Sequence, residues 1–558
     1  MGSENDRRVL LAIALIMVVY YVWVAFINPP PPAVAPPEPV AEQAAEQGAA
    51  PLGDPLSASP SVGVALPAVE SQAVPARAEP YQGQSFRGVI SSAGGTIGGV
   101  QLDDYVTSPT TTAWWTWAIA RLSGGTGESW SAYKGGGDPR EVLDLQGAIG
   151  LAGVGPIGGD GGYLLEGSGV RWTATRTDAS GLIIRKRIAP GETPHTLEVE
   201  VEFDNRAGPA VDQLWVGVVD EMSGTAGRFD NASRPQAYVD DSIEHLLDLS
   251  DVAAGEEERF DGPVSWFGVG DRYFMSALAL KDPLTASVVF DLLPDGRGGA
   301  FLVDGQGLEA GATRSYRFVA WMGPKDLDLL QRVGYQLDEA VEFGFFGFFS
   351  RMLLFLLKVA QKGVVNWGLA ILALTLLVKA VFYPLTQKAF VSSKRMQAIQ
   401  PLMKEIQEKY KDNKELASVE TMKLFKDQGV NPMGGCLPSL VQMPVWFALY
   451  GVMLNSVELY NSKFLYLNDL TAADPYGLLP VIYAVLIFLQ QQMMPMTGLD
   501  PAQQKMMKML PIVFAAFMFT FPSGLVLYFC ANILLTILQQ WLINRTFAST
   551  PQTQVAAP

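Results

Sequence analysis

Residues 367–384 form an apolar run long enough to cross a bilayer, and a single fully ionised side chain, Lys379, lies well inside it. About 20 residues of helix span the hydrocarbon core, so the run reads as a membrane helix. A charge at the centre of a lone membrane helix costs roughly 2.5–3.5 kcal/mol on insertion scales, so such residues usually face a water-filled cavity or a partner. Lys379 is close enough to the end of its run that it can instead snorkel to the headgroups. Thr375 lies one helical turn earlier on the same face. Gln442, Asn455 and Asn532 interrupt other apolar runs where a purely lipid-facing helix would carry Leu or Val. Together these polar residues favour a shared polar interior over snorkelling.

With 558 residues, 49% hydrophobic and 17% charged, the chain is too apolar to be wholly soluble and too charged to be wholly embedded. Its net charge of −16 is concentrated: residues 81–340 hold 20 Lys and Arg against 37 Asp and Glu. An acidic block of this kind repels nucleic acid and anionic lipid, so sequence-specific nucleic-acid binding is not expected. Two cysteines, Cys436 and Cys530, adjoin or lie within apolar segments and imply no disulfide framework. The two histidines, His195 and His245, stand in no metal-binding spacing, and no cofactor is expected.

Arg7 and Arg8 precede an apolar stretch at residues 9–27 that ends in Asn28 and Pro29, not in a small-residue cleavage site. Residues 1–28 therefore read as an uncleaved transmembrane anchor. Residues 29–80, rich in Pro, Ala, Glu and Gln, read as a disordered tether.

From 81 to 325 the chain turns to short glycine-punctuated runs. The clearest, residues 196–203, is apolar at alternate positions and acidic between them, which is the pattern of a half-buried strand. Similar runs at 181–188, 214–219, 286–292 and 315–321 predict a large antiparallel β-sandwich. Gly153-x-Gly155-x-x-Gly158 matches a dinucleotide fingerprint but is followed by more glycine, not by a helix that would hold a phosphate. His195 and His245 invite comparison with a sugar enzyme, but His195 falls in a turn-like stretch and His245 in an acidic one, so both read as surface histidines.

After Asp326 the period becomes helical. Leu327, Leu330, Val333, Leu337 and Val341 form one apolar stripe, so residues 326–350 predict an amphipathic helix in the membrane interface. Spans are then expected at 353–383, 437–456, 478–494, 509–521 and 525–543, six with the anchor. Nine Lys and Arg between Tyr383 and Leu437 fall on the same side as Arg7, Arg8, Lys505, Lys508 and Arg545. Both termini should then be cytoplasmic, with the acidic domain on the other side of the membrane, which in a bacterium with two membranes is the periplasm. The segment 385–430 predicts a cytoplasmic helical hairpin. Met396, Ile399, Met403, Ile406 and Tyr410 line one helix and Leu416, Val419, Met422 and Phe425 the other, with a break at Asp412-Asn413. Residues 351–545 would be the membrane core and 546–558 a cytoplasmic tail.

Several motifs within this core carry a resemblance. They are Asn366-Trp-Gly-Leu-Ala370, Val378-Lys-Ala-Val-Phe-Tyr-Pro-Leu-Thr-Gln-Lys388, Gln400-Pro401, Asn431-Pro-Met-Gly-Gly-Cys-Leu-Pro438, Gln442-Met-Pro444 and Phe521-Pro-Ser-Gly-Leu-Val-Leu-Tyr528. In order, spacing and span count they resemble the YidC-type membrane protein insertases, and the anchor, tether and β-domain resemble the Gram-negative form. The resemblance implies five core helices around a hydrophilic groove that holds one basic residue, Lys379, where many members have Arg. A lysine supplies the charge without the planar fork that grips a carboxylate bidentately. The resemblance places Thr375, Gln442 and Tyr528 at groove or client-contact positions. Trp446, Tyr483, Phe517 and Phe529 are candidates for an apolar slide beside the groove, with helix packing as their alternative role. The implied partners are nascent membrane proteins, the lipid bilayer and, on the cytoplasmic face, the Sec translocon and the ribosome. A client's polar tail would enter the wet groove and its apolar segment would slide into lipid, driven by hydrophobic transfer without nucleotide hydrolysis. Two rivals are a secondary transporter, against which stand the lack of Asp or Glu at mid-membrane and of an internal repeat, and a tethered sugar enzyme, which leaves the distal spans unexplained.

Overall fold

The computed structural model describes residues 77–548 apart from 107–109, 112–132, 135–141, 154–161, 222–232, 247–257, 293–296, 412, 431–436, 494–508 and 510–513. The expected anchor, nearly all of the tether, the last residues of the tail, Cys436 and residues 510–513 of the expected span 509–521 lie outside the described residues. So does the glycine run after Gly153.

Strands run from Ala78 to Pro324, and fifteen of those described join one antiparallel sheet. Its logic is visible at Thr196–Asp204, where Leu197, Val199, Val201 and Phe203 are buried. This strand pairs on one side with Thr313–Pro324, setting Val199 opposite Phe318, and on the other with Ile183–Pro190, setting Val199 opposite Ile188. On the opposite face Glu200 and Glu202 meet Arg187, each at 2.9 Å, and Glu202 also meets Arg185 at 2.5 Å. The period-two sequence is thus apolar toward the core and charge-paired toward solvent. The two ends of the strand order approach each other: Tyr163 N donates to Ser92 O at 2.8 Å, and Ala93 bridges Gly162. The sheet therefore wraps around a core shared by Tyr81, Phe86, Trp172, Val201, Phe203 and Phe318.

His195 departs from expectation. It is buried in a left-handed turn (φ 64°) beside Trp321, ring centroids 5.6 Å apart, and its carbonyl accepts from Met322 N. Burial pushes its pKa below the usual histidine value. A turn sequence marks a change of direction, not exposure. His245 is half-buried on Ser242–His245.

Two corrections concern the helices. The stripe at 327–341 does not form one helix: α1, Leu327–Val333, is capped by Asp326 and ends at Gly334 (φ 85°), and Leu337–Ala340 is a separate 3-10 turn. Both pack on the sheet, since Leu330 and Leu337 share a buried cluster with Trp266 and Trp321. The Trp266 indole N–H donates to Gln336 O at 3.0 Å, which fixes the chain reversal. The exposed apolar stripe falls further along, on α2, Gly347–Val364, at Phe348, Met352, Phe355 and Val359. The expected span 353–383 is likewise broken, because α2 stops at Val365 and α3, Trp367–Ala398, begins at Asn366, whose side chain accepts from Leu369 N.

Helix α3 continues through Pro384, where the Thr386 hydroxyl donates to the carbonyls of Phe382 and Tyr383. Then come α4, Gln400–Lys409; α5, Lys414–Asp427, capped by Asn413; α6, Leu437–Asn455; α7, Leu478–Met493; and α8, Ser523–Ala548. In the hairpin, Ile399 and Met403 pack against Leu424 and Phe425, whereas Leu416, Val419 and Met422 are exposed. The inward face of α5 is therefore rotated from the one the periodicity suggests. Among the described residues, Trp367–Met396 and Ser523–Arg545 are long and apolar enough to cross a membrane. Leu376, Leu377 and Val381 on α3, Val485 and Phe488 on α7, and Leu534 and Leu538 on α8 point outward unpaired. Such a belt is costly in water and favourable in lipid.

Candidate functional site

Helices α3, α6, α7 and α8 pack around one cluster that includes Leu374, Leu449, Tyr483 and Val526. A polar seam runs through it. Lys379 Nζ, on α3, donates to Thr536 Oγ1 on α8 at 2.7 Å. Thr536 Oγ1 in turn donates to Asn532 O one turn earlier at 2.7 Å, and Gln442 Nε2 on α6 donates to Asn532 Oδ1 at 3.4 Å. Lys379, Gln442, Asn532 and Thr536 are all half-buried. The seam continues along the same two helices, where Gln539 Nε2 donates to Thr386 Oγ1 at 2.9 Å, both residues buried.

The ammonium is thus held by a hydroxyl from another helix and lies between helices, which a snorkelling lysine would not require. Thr536, Thr386 and Gln539 were missed in the sequence reading. Their signal is spacing: Thr375, Lys379 and Thr386 follow one another at four and seven residues, and Asn532, Thr536 and Gln539 at four and three, so each set shares one helical face.

Other expected residues sit differently. Thr375 is fully buried, with its hydroxyl donating to Ile371 O at 2.7 Å, and Tyr528 is 1% exposed in the helix core. Neither lines an open surface, so the expectation of direct client contact at these two positions is not matched in this arrangement. Asn455 stands apart from the seam and donates to Glu342 O at 2.5 Å, joining α6 to the segment before α2. Of the aromatic candidates, Phe529 is buried at a hub, 5.2 Å from Trp446 and 6.1 Å from Tyr483 between ring centroids, and Tyr483 is also buried. These two serve helix packing. Trp446 is half-buried and Phe517 is exposed.

Both the sheet part and the helical part of the chain are similar to known proteins. The model of the 60Kd inner membrane protein family matches residues 359–550, and the model of the YidC periplasmic domain matches residues 164–356. The membrane protein insertase YidC of Geotalea daltonii is 33% identical over 565 residues, covering 97% of this chain and 99% of that protein. YidC of Geobacter sulfurreducens is 41% identical over 286 residues, 51% of this chain and 54% of that one. A solved structure, described as an active YidC insertase with the first transmembrane domain resolved, is 18% identical and covers 84% of this chain and 92% of its own, with a TM-score of 0.35. Since the alignment with the Geotalea protein runs nearly end to end in both chains, this chain belongs to the YidC family of membrane protein insertases.

Proposed function

We infer that the half-buried seam of Lys379, Thr536, Asn532 and Gln442 is the wall of a hydrophilic groove through which transmembrane segments of newly made proteins pass from the cytoplasm into the inner membrane. The observation that carries this reading is the ammonium of Lys379 held on Thr536 between α3 and α8, half-buried among apolar helices. A polar tail entering there exchanges water for hydroxyl and amide groups in place of hydrocarbon, and an acidic tail gains attraction to Lys379. The client's apolar segment then passes along the exposed faces of α3 and α8 into lipid, with Trp446 and Phe517 beside the path. Hydrophobic transfer supplies the driving force, so no nucleotide is consumed. Thr375 and Tyr528 support the wall from behind, buried in the helix core.

In this reading both termini and the α4–α5 hairpin are cytoplasmic, where the ribosome and the Sec translocon would dock, and the sheet domain is periplasmic. The test is insertion into proteoliposomes of clients with acidic and with neutral tails. Lys379→Ala is expected to slow the acidic clients selectively, whereas full-rate insertion of every client by that variant removes the charge from the mechanism.

A further inference from the structure

The elbow between α2 and α3 and the loop after α6 each carry a residue that neither the groove nor helix packing explains. Val365 and Leu465 both adopt left-handed backbone, φ 56° and 53°, and their side chains are 80% and 84% exposed. Left-handed backbone is strained for any residue with a Cβ and most of all for a β-branched one, and glycine is the usual occupant. Here two branched aliphatic side chains are held outward at strained positions with almost no contact inside the chain.

The two sites are also tied together. Asn366 Nδ2, next to Val365, donates to Lys463 O at 3.1 Å, and Phe464 sits so close over Gly368 that a Cβ there would overlap its ring. Leu465 stands at the tip of a tight turn closed by paired hydrogen bonds between Phe464 and Leu467, 3.0 and 2.9 Å. Tyr466 anchors that turn by donating to Asp474 at 2.7 Å. The position of this rigid pair is informative. It lies at the start of α3, continuous with the exposed apolar stripe of α2, and on the sheet-domain side, because Tyr460 of the same loop packs on Tyr273 and Phe274 at 5.2 Å. Lys362 and Lys463, both exposed, flank it.

We propose that Val365 and Leu465 form a wedge inserted among the acyl chains of the leaflet on the sheet-domain side, with Lys362 and Lys463 at the level of the lipid phosphates. Lipid is the occupant that fits an apolar tip with a basic collar, since it supplies hydrocarbon and anionic headgroups at the matching depths. The proposal rests on the chain sitting in a bilayer and not on the groove, so an inactive Lys379 variant would leave it standing.

The test places single cysteines at Val365 and Leu465, with Gly305 as an exposed control, in a chain whose Cys436 and Cys530 are replaced by alanine. Each is labelled with an environment-sensitive fluorophore and reconstituted into vesicles of phosphatidylethanolamine and phosphatidylglycerol. Both wedge labels should show blue-shifted emission, quenched severalfold more by acyl-chain doxyl lipid than by aqueous iodide. Iodide quenching equal to that at Gly305 would overturn the wedge, and so would protection from both quenchers, which would assign the patch to a protein contact. Should a labelled variant misfold, Val365→Gly/Leu465→Gly answers the same question. Relief of backbone strain should keep its melting temperature in detergent at or above the parent's, and its gain on transfer to vesicles should be smaller. An equal gain for both chains overturns the proposal.

Discussion

Lys358 Nζ, on α2, lies 2.6 Å from Glu458 Oε1 in the loop after α6 and 2.9 Å from Asp328 Oδ2 on α1. Lys358 and Glu458 are largely buried, so this one lysine joins α2 to both the sheet-bound α1 and the helical core. Burial alone pushes Glu458 upward in pKa, and the lysine opposes that shift. Removing the lysine leaves a carboxylate with neither water nor a cation.

Lys358→Met is therefore expected to cost about 3 kcal/mol of stability, the scale found when one member of a buried pair is deleted. Lys358→Met/Glu458→Gln should recover much of it, and unfolding in detergent measures both. A double variant as unstable as the single one would show that the loss comes from packing and not from the stranded charge.

The hydrogen bond from Lys379 to Thr536 predicts that Thr536→Val slows insertion of acidic-tailed clients several-fold, whereas Thr536→Ser, which keeps the acceptor, stays near the parent rate. The expected scale is that of one hydrogen bond, about 1 kcal/mol. Equal rates for the valine and serine variants in the same proteoliposome assay would mean that Thr536 does not hold the ammonium.

Gly368 lies beneath Phe464, with no room for a side chain. Gly368→Ala should destabilise the elbow by about 1–3 kcal/mol through overpacking, and Gly368→Ala/Phe464→Leu should regain part of that. Melting temperatures of the two chains in detergent decide it. An unchanged value for Gly368→Ala would mean that the ring moves aside freely.

Asp271 is half-buried in the sheet domain, and its side chain accepts from Tyr273 N and Phe274 N, each at 2.7 Å. Burial pushes its pKa up to about 6 from the ordinary 3.8, partly offset by those donors and by Lys325. The folded state therefore binds the proton more tightly than the unfolded chain. Its stabilising contribution is full below about pH 4 and is lost as pH rises through about 6. Asp271→Asn keeps the acceptor oxygen and removes the charge, so near pH 7.5 it should be more stable than the parent by up to roughly 3 kcal/mol. The difference should vanish below about pH 4. A pH-independent gap between the two unfolding curves would exclude titration of Asp271 as its source.

What sequence alone determined here is what local chemistry dictates. Alternation at 196–203 set strand and face, because a pleated backbone turns successive side chains to opposite sides. Long apolar runs set α3 and α8, because only a helix satisfies its own backbone in lipid. Lys379 was conspicuous because a charge in such a run demands a partner. Tertiary structure decided which partner: Thr536 is 157 residues away, and no local rule selects it from the other polar residues. It also decided burial. His195 reads as a surface turn and is enclosed by Trp321, and Thr375 and Tyr528 read as groove lining and lie in the packed core. The stripe at 327–341 broke at Gly334 because the sheet offered Trp266 to receive two short pieces, a competition between packing and helix propagation that periodicity cannot express. Composition and period report the solvent each residue prefers, and only the folded chain shows which neighbours supply it.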